Sequence, residues 1–73
     1  MEINEIIRLL REENNYKQQD IADLLNIKQQ QYSVYENGKQ ELPTRHVKKL
    51  CAFYGVSADY ILGLPDNLIY PKR

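Results

Sequence analysis

The chain predicts an all-α fold, a compact bundle of five helices in a single domain. Three observations carry that reading. Apolar residues recur at helical spacing, as Ile3, Ile6, Ile7 and Leu10 do near the start and Val47, Leu50, Cys51 and Tyr54 do later. Asparagine or glycine closes each run, at Asn14, Asn26, Gly38, Gly55 and Gly63, where a helix ends most easily in left-handed backbone. No repeat, linker or β-hairpin signal interrupts the pattern.

The first helix is expected from about residue 2 to residue 13, with Asn14 and Asn15 as terminators and Leu9 off its apolar stripe. A second should cover Gln18 to Leu25, burying Ile21, Ala22 and Leu25. Asn26 then turns the chain sharply, with Ile27 anchoring the corner. The third should run from Lys28 or Gln29 to Glu36, burying Tyr32 and Tyr35 and stopping at Asn37 and Gly38. Pro43 presets the start of a fourth helix, which Gly55 ends. Ser57 caps a short fifth through Leu62, with Gly63 and Pro65 as stop signals. Residues 1–64 form the domain on this reading and residues 65–73 a C-terminal tail.

Seventy-three residues lie near the lower size at which one core sustains itself without staples. The single cysteine excludes an internal disulfide. With no charged-then-apolar leader and no apolar run near the roughly 20 residues of a membrane span, a cytoplasmic, nucleoid-associated protein is expected. The formal charge is zero, but its distribution is uneven. Residues 1–25 hold six acids and three bases, residues 26–54 hold five bases and two acids, and residues 55–73 hold two of each. A two-faced molecule is expected, its basic part containing the third helix.

That third helix shows Gln29, Gln30, Ser33 and Val34 outward once its tyrosines are buried. An outward stripe is ordinarily wetted surface, yet such stripes mix Lys with Glu, whereas uncharged amides match the donor and acceptor pattern of base edges. The two short helices of YKQQDIADLLNIKQQQYSVYENG, residues 16–38, therefore form a candidate reader of duplex DNA.

Four segments in order, LLRE at 9–12, QQDIADLLNI at 18–27, YSVYENGK at 32–39 and YGVSADYILG at 54–63, resemble the Xre-like regulators, the phage repressor and Cro type of helix-turn-helix with the lambda repressor-like fold. The resemblance spans Ile6 to Leu62. It implies sequence-specific binding of double-stranded DNA by a transcriptional regulator, with the third helix in the major groove and Gln29, Gln30, Ser33 and Val34 toward the bases. A glutamine amide can pair with adenine N6 and N7 together, so an A·T pair is expected opposite Gln29 or Gln30. Val34 stands where relatives often carry Arg or another polar group; it either touches a thymine methyl or contributes nothing. Phosphate contacts are expected from Gln18, from the backbone at Asn37, Gly38 and Lys39, and from Lys17, Lys28, Arg45 or Lys48. The family usually places Ser or Thr where Lys17 and Lys28 stand; these are either solvated lysines or phosphate contacts. An arginine of helix 1 often holds the glutamate at the end of helix 3, which implies an ion pair of Arg11 with Glu36, either buried or exposed at the rim.

Catalysis is not expected. His46 and Cys51 are five residues apart on one helix and point about 140° away from each other, so they do not share a metal or a proton. Cys51 reads as a small core residue and His46 as wetted or near a phosphate. No cofactor, metal or small-molecule ligand is implied, and no membrane. The rival to DNA binding is an antitoxin-like or scaffold interaction module of the same fold, with Leu9, Leu64, Leu68, Ile69 and Tyr70 as its surface. Those residues suit equally a homodimer paired through the C-terminal helix and tail, which would bind a palindromic operator, most simply as a repressor.

Overall fold

A computed structural model describes residues 1–65, and the fold over that range is entirely helical. Five helices follow one another: α1 (Ile3–Glu13), α2 (Gln18–Leu25), α3 (Gln29–Glu36), α4 (Thr44–Tyr54) and α5 (Ala58–Ile61). Leu68, Ile69 and Tyr70, expected to contribute to a surface of the tail, lie outside the described residues.

One core joins all five. Ile6, Ile7 and Leu10 of α1 meet Ile21, Ala22 and Leu25 of α2, Tyr32 and Tyr35 of α3, Val47 and Leu50 of α4, and Ile61 of α5. Each fully buried aliphatic side chain contributes about 1.5–3 kcal/mol relative to exposure, so a short α5 is held mainly by Ile61. Ile3, Ile27, Cys51 and Tyr54 pack half-buried against this cluster, while Leu9 is exposed as its place off the α1 stripe requires.

The corners follow from residues that accept positive φ. Asn26 closes α2 at φ 59°, ψ 43°, and the Ile27 N–H donates to the Ala22 carbonyl at 3.0 Å, so α3 starts after only a few residues. Asn15 does the same for α1 at φ 61°. Pro43 departs from expectation: its ψ of 148° makes it the residue before α4 rather than its first turn. Ser57 caps α5, its Oγ accepting from the Tyr60 N–H at 3.2 Å.

Candidate nucleic-acid interface

The third helix has no aliphatic buried stripe; it is anchored by two tyrosines and a carboxylate. Tyr32, Tyr35 and Glu36 are its buried residues. With those inward, Gln30 is exposed and Gln29, Ser33 and Val34 are half-exposed on the other side. Val34 also packs against the core, which limits how far its methyls reach outward. Gln30 and Val34 line a shallow recess with Lys28, Gln31, a marginal member of the expected base-facing set, and Gln40, which lies outside that set.

Both ends of α3 are tied to the scaffold. At its C-terminus, Glu36 accepts from Arg11 Nε at 2.7 Å and from Arg11 Nη2 at 3.0 Å, with only 14% of the Arg11 side chain and 2% of the Glu36 side chain exposed. Arg11 Nη1 also donates to the Tyr16 carbonyl at 3.0 Å, and Asn4 Nδ2 donates to the Glu36 carbonyl at 3.5 Å. At the N-terminus, Gln29 Nε2 donates to Gln18 Oε1 at 2.7 Å, and Gln18 Nε2 donates onward to Glu36 Oε1 at 3.0 Å. Gln18, expected at a phosphate, thus has its amide turned inward between the two ends of α3.

Burial by itself would raise the Glu36 carboxyl, but the hydrogen bonds from Arg11 and Gln18, with the Tyr32 hydroxyl close by, outweigh it and hold the group below the usual range. Its bond to Arg11 raises the guanidinium in turn. The Tyr32 hydroxyl faces this carboxylate without a hydrogen bond of good geometry; burial and then the adjacent charge push it up. The hydroxyl of the half-buried Tyr54, likewise enclosed without a partner, is pushed up to about 12, chiefly by burial. Glu36 is therefore an ionised group whose charge is paired within the fold by Arg11.

The loop after α3 differs from expectation. The Asn37 N–H donates to Ser33 O, the Gly38 N–H to Tyr35 O and the Lys39 N–H to Val34 O, at 3.0 to 3.2 Å. Gly38 at φ 73° closes this terminus, and all three backbone donors are consumed by it. Gly38 has no side chain to offer instead, so any phosphate contact here falls to the side chains of Asn37 and Lys39. Lys17, Lys28, Lys39, Arg45 and Lys48 are all exposed. Lys17 and Lys28 precede α2 and α3 without a side-chain oxygen to cap them; the Lys17 N–H is satisfied by Asp20 Oδ2 at 2.8 Å.

His46 is neither wetted nor at the surface. It is 5% exposed, its ring centroid lies 6.0 Å from that of Tyr35, and its Nε2 has no hydrogen-bond partner. Burial, then the charges of Arg45 and Lys49, lower its pKa. The spacing held a signal: His46 and Cys51 sit on opposite shoulders of the stripe through Val47, Leu50 and Tyr54, each about 70° from its centre. One feature without a sequence signal is an aromatic cluster in which the ring centroids of Tyr16 and Phe53 lie 5.2 Å apart, tilted, and Phe53 meets Tyr54 edge-on at the same distance. Among the described residues there is no group of three metal-binding side chains and no helix long and apolar enough to cross a membrane.

Comparison with known proteins agrees with the helical fold. A family model described as helix-turn-helix matches residues 7–61. The chain is 40% identical over 58 residues to the SPbeta prophage-derived uncharacterized HTH-type transcriptional regulator YonR of Bacillus subtilis (strain 168), covering 80% of this chain and 54% of that protein. It thus spans about half the length of that curated relative. The fold matches a solved structure of a transcriptional regulator from Listeria innocua with a TM-score of 0.84 at 21% identity, over 96% of this chain and 65% of that one. At that identity the likeness bears on fold alone.

Proposed function

This chain belongs to the helix-turn-helix family, as the resemblance of its four segments implied, and on that premise we propose that it binds double-stranded DNA as a sequence-specific transcriptional regulator. The observation that carries the reading is the build of α3: tyrosines and an ion-paired carboxylate below, amides of Gln29 and Gln30 and the Ser33 hydroxyl above. Such a face offers donors and acceptors to base edges without charges that would need a partner in the free protein. Val34 lies beside them, where a thymine methyl would meet it. The exposed cations Lys17, Lys28, Lys39 and Arg45, with the Asn37 amide, are assigned to phosphates, where they fix register rather than sequence.

A second copy completes the site. Tyr60 and Leu62, 54% and 46% exposed, sit with Leu64 at the C-terminal end, and pairing there would place two α3 helices about 34 Å apart over an inverted repeat. Occupancy of such an operator blocks transcription in the simplest case, which makes the protein a repressor. The supporting test is selection of bound sequences from random duplexes: a palindromic motif is expected, with A·T opposite Gln29 or Gln30. If four cations per subunit meet phosphate, log affinity against log salt has a slope of about −7, at about 0.9 per contact. No enriched motif and a slope near zero would overturn the reading in favour of a protein-interaction module.

A further inference from the structure

We propose that Gln40, from the loop after α3, is a further specificity-determining residue: its amide enters the recess over Val34 and selects adenine at the base pair to which Val34 offers no hydrogen bond. The inference rests on the DNA-reading role proposed for α3.

The backbone brings Gln40 to that place. Gly38 at φ 73° turns the chain back on α3, and the Lys39 N–H donates to the Val34 carbonyl at 3.0 Å, so the loop is fastened beside Val34 one residue before Gln40. Leu42, half-buried against the core, fastens it two residues after. Between these points Gln40 is exposed and lines the same recess as Gln30 and Val34. A side chain carried on a held backbone gives up less freedom on binding than one on a free loop.

The chemistry of the walls decides what the recess takes. Val34 presents only methyls, so a base edge lying over it would lose water without gaining a hydrogen bond, and an unpaired polar group in a covered place is costly. Gln31 does not supply the missing bond in full, because its Nε2 donates to the Tyr35 hydroxyl at 3.2 Å and draws that amide along its own helix. Gln40 approaches from the opposite wall with a carbonyl oxygen and an amino group side by side, the pattern that complements adenine N6 and N7 together. A phosphate would engage only the donor half of this amide, and a cation serves a phosphate better. The recess has one cation in its lining, Lys28, at the start of α3. The reading face thus continues from the helix onto the loop, and the loop carries the polar group that Val34 lacks.

The test compares the native chain with Gln40→Ala, Gln40→Glu and Gln30→Ala by selection from a random duplex library, with circular dichroism to confirm the helical fold. Gln40→Ala is expected to lower the adenine preference about tenfold at a single base pair and to leave the other positions as they were. Gln40→Glu, which only accepts hydrogen bonds, should move that same pair toward cytosine, whose N4 amino group donates. Loss of affinity for all sequences alike in both variants, with every preference kept, would overturn the proposal and place Gln40 at a phosphate. Affinity and preferences both unchanged would overturn it and leave Gln40 in solvent. In those two cases Gln30→Ala still alters its own base pair, and the reading role of α3 stands. If Gln30→Ala changes preference at no position, that role fails and the proposal for Gln40 with it.

Discussion

Arg11 and Glu36, 25 residues apart in the chain, meet through two hydrogen bonds in parallel, one from Nε and one from Nη2, and close α1 onto the end of α3. Because the glutamate side chain is almost wholly buried, removing its partner leaves a charge with no water to solvate it. Arg11→Ala is expected to cost about 3–5 kcal/mol. At about 4–8 °C per kcal/mol for a domain of this size, the thermal midpoint should fall by well over 10 °C. A fall below about 4 °C would mean that the pair behaves as a surface contact.

His46 gives the chain an acid-sensitive core. Its pKa is lowered on folding by burial and then by Arg45 and Lys49, so the unfolded chain takes up the proton first as pH falls below about 6.5. Stability is complete above that pH and declines beneath it toward the lower native value. Urea midpoints measured between about pH 5 and 7 should decline with acidity in the native chain and flatten in His46→Leu. Equal slopes for the two would assign the decline to other groups.

Lys28 stands at the start of α3 where an oxygen would cap the helix. Lys28→Thr is expected to stabilise the fold by about 0.5–1 kcal/mol by supplying that oxygen and removing a cation from the positive end. DNA affinity should fall in the same variant, and the salt slope should shrink by about 0.9 per subunit. A stabilised variant that keeps full affinity would leave Lys28 as a solvated lysine.

Two glycines separate backbone strain from crowding. Gly55 and Gly63 both lie near φ 70°, but a Cβ on Gly55 would meet nothing within 4 Å, whereas on Gly63 it would stand 2.5 Å from the Met1 carbonyl oxygen. Each alanine variant carries the left-handed cost of about 1–2 kcal/mol. Gly63→Ala should be worse by about a further 1–3 kcal/mol from the clash. Equal melting points would show that the N-terminal residue gives way freely.

The helices were legible because their boundaries rest on local chemistry. Asn26 and Gly55 take left-handed backbone as residue types, and the bounds of α2 and α3 coincide with the expected ones. The outward face of α3 followed as the remainder once Tyr32 and Tyr35 were placed inside. What could not be read depends on lengths and angles between elements. The Gln18 to Gln29 bond joins side chains of two helices whose crossing no single-helix pattern fixes, and the Tyr16–Phe53 stack joins a loop to α4. For His46, polarity points to solvent and its position on the shoulder of the stripe to burial; packing against Tyr35 decides it. The backbone donors after α3 close the helix end, a use that residue types in the loop do not reveal.

The fastening of α3 at both termini divides its surface into fixed and variable letters. Gln29 is woven into the scaffold through Gln18, whereas Gln30 is exposed. On the base-reading role proposed for α3, replacement of Gln30 leaves folding untouched and alters target preference alone, while any replacement of Gln29 also disturbs the joint between α2 and α3. Diversification within such a lineage should then accumulate one residue further along the helix, and the first letter should change only together with Gln18.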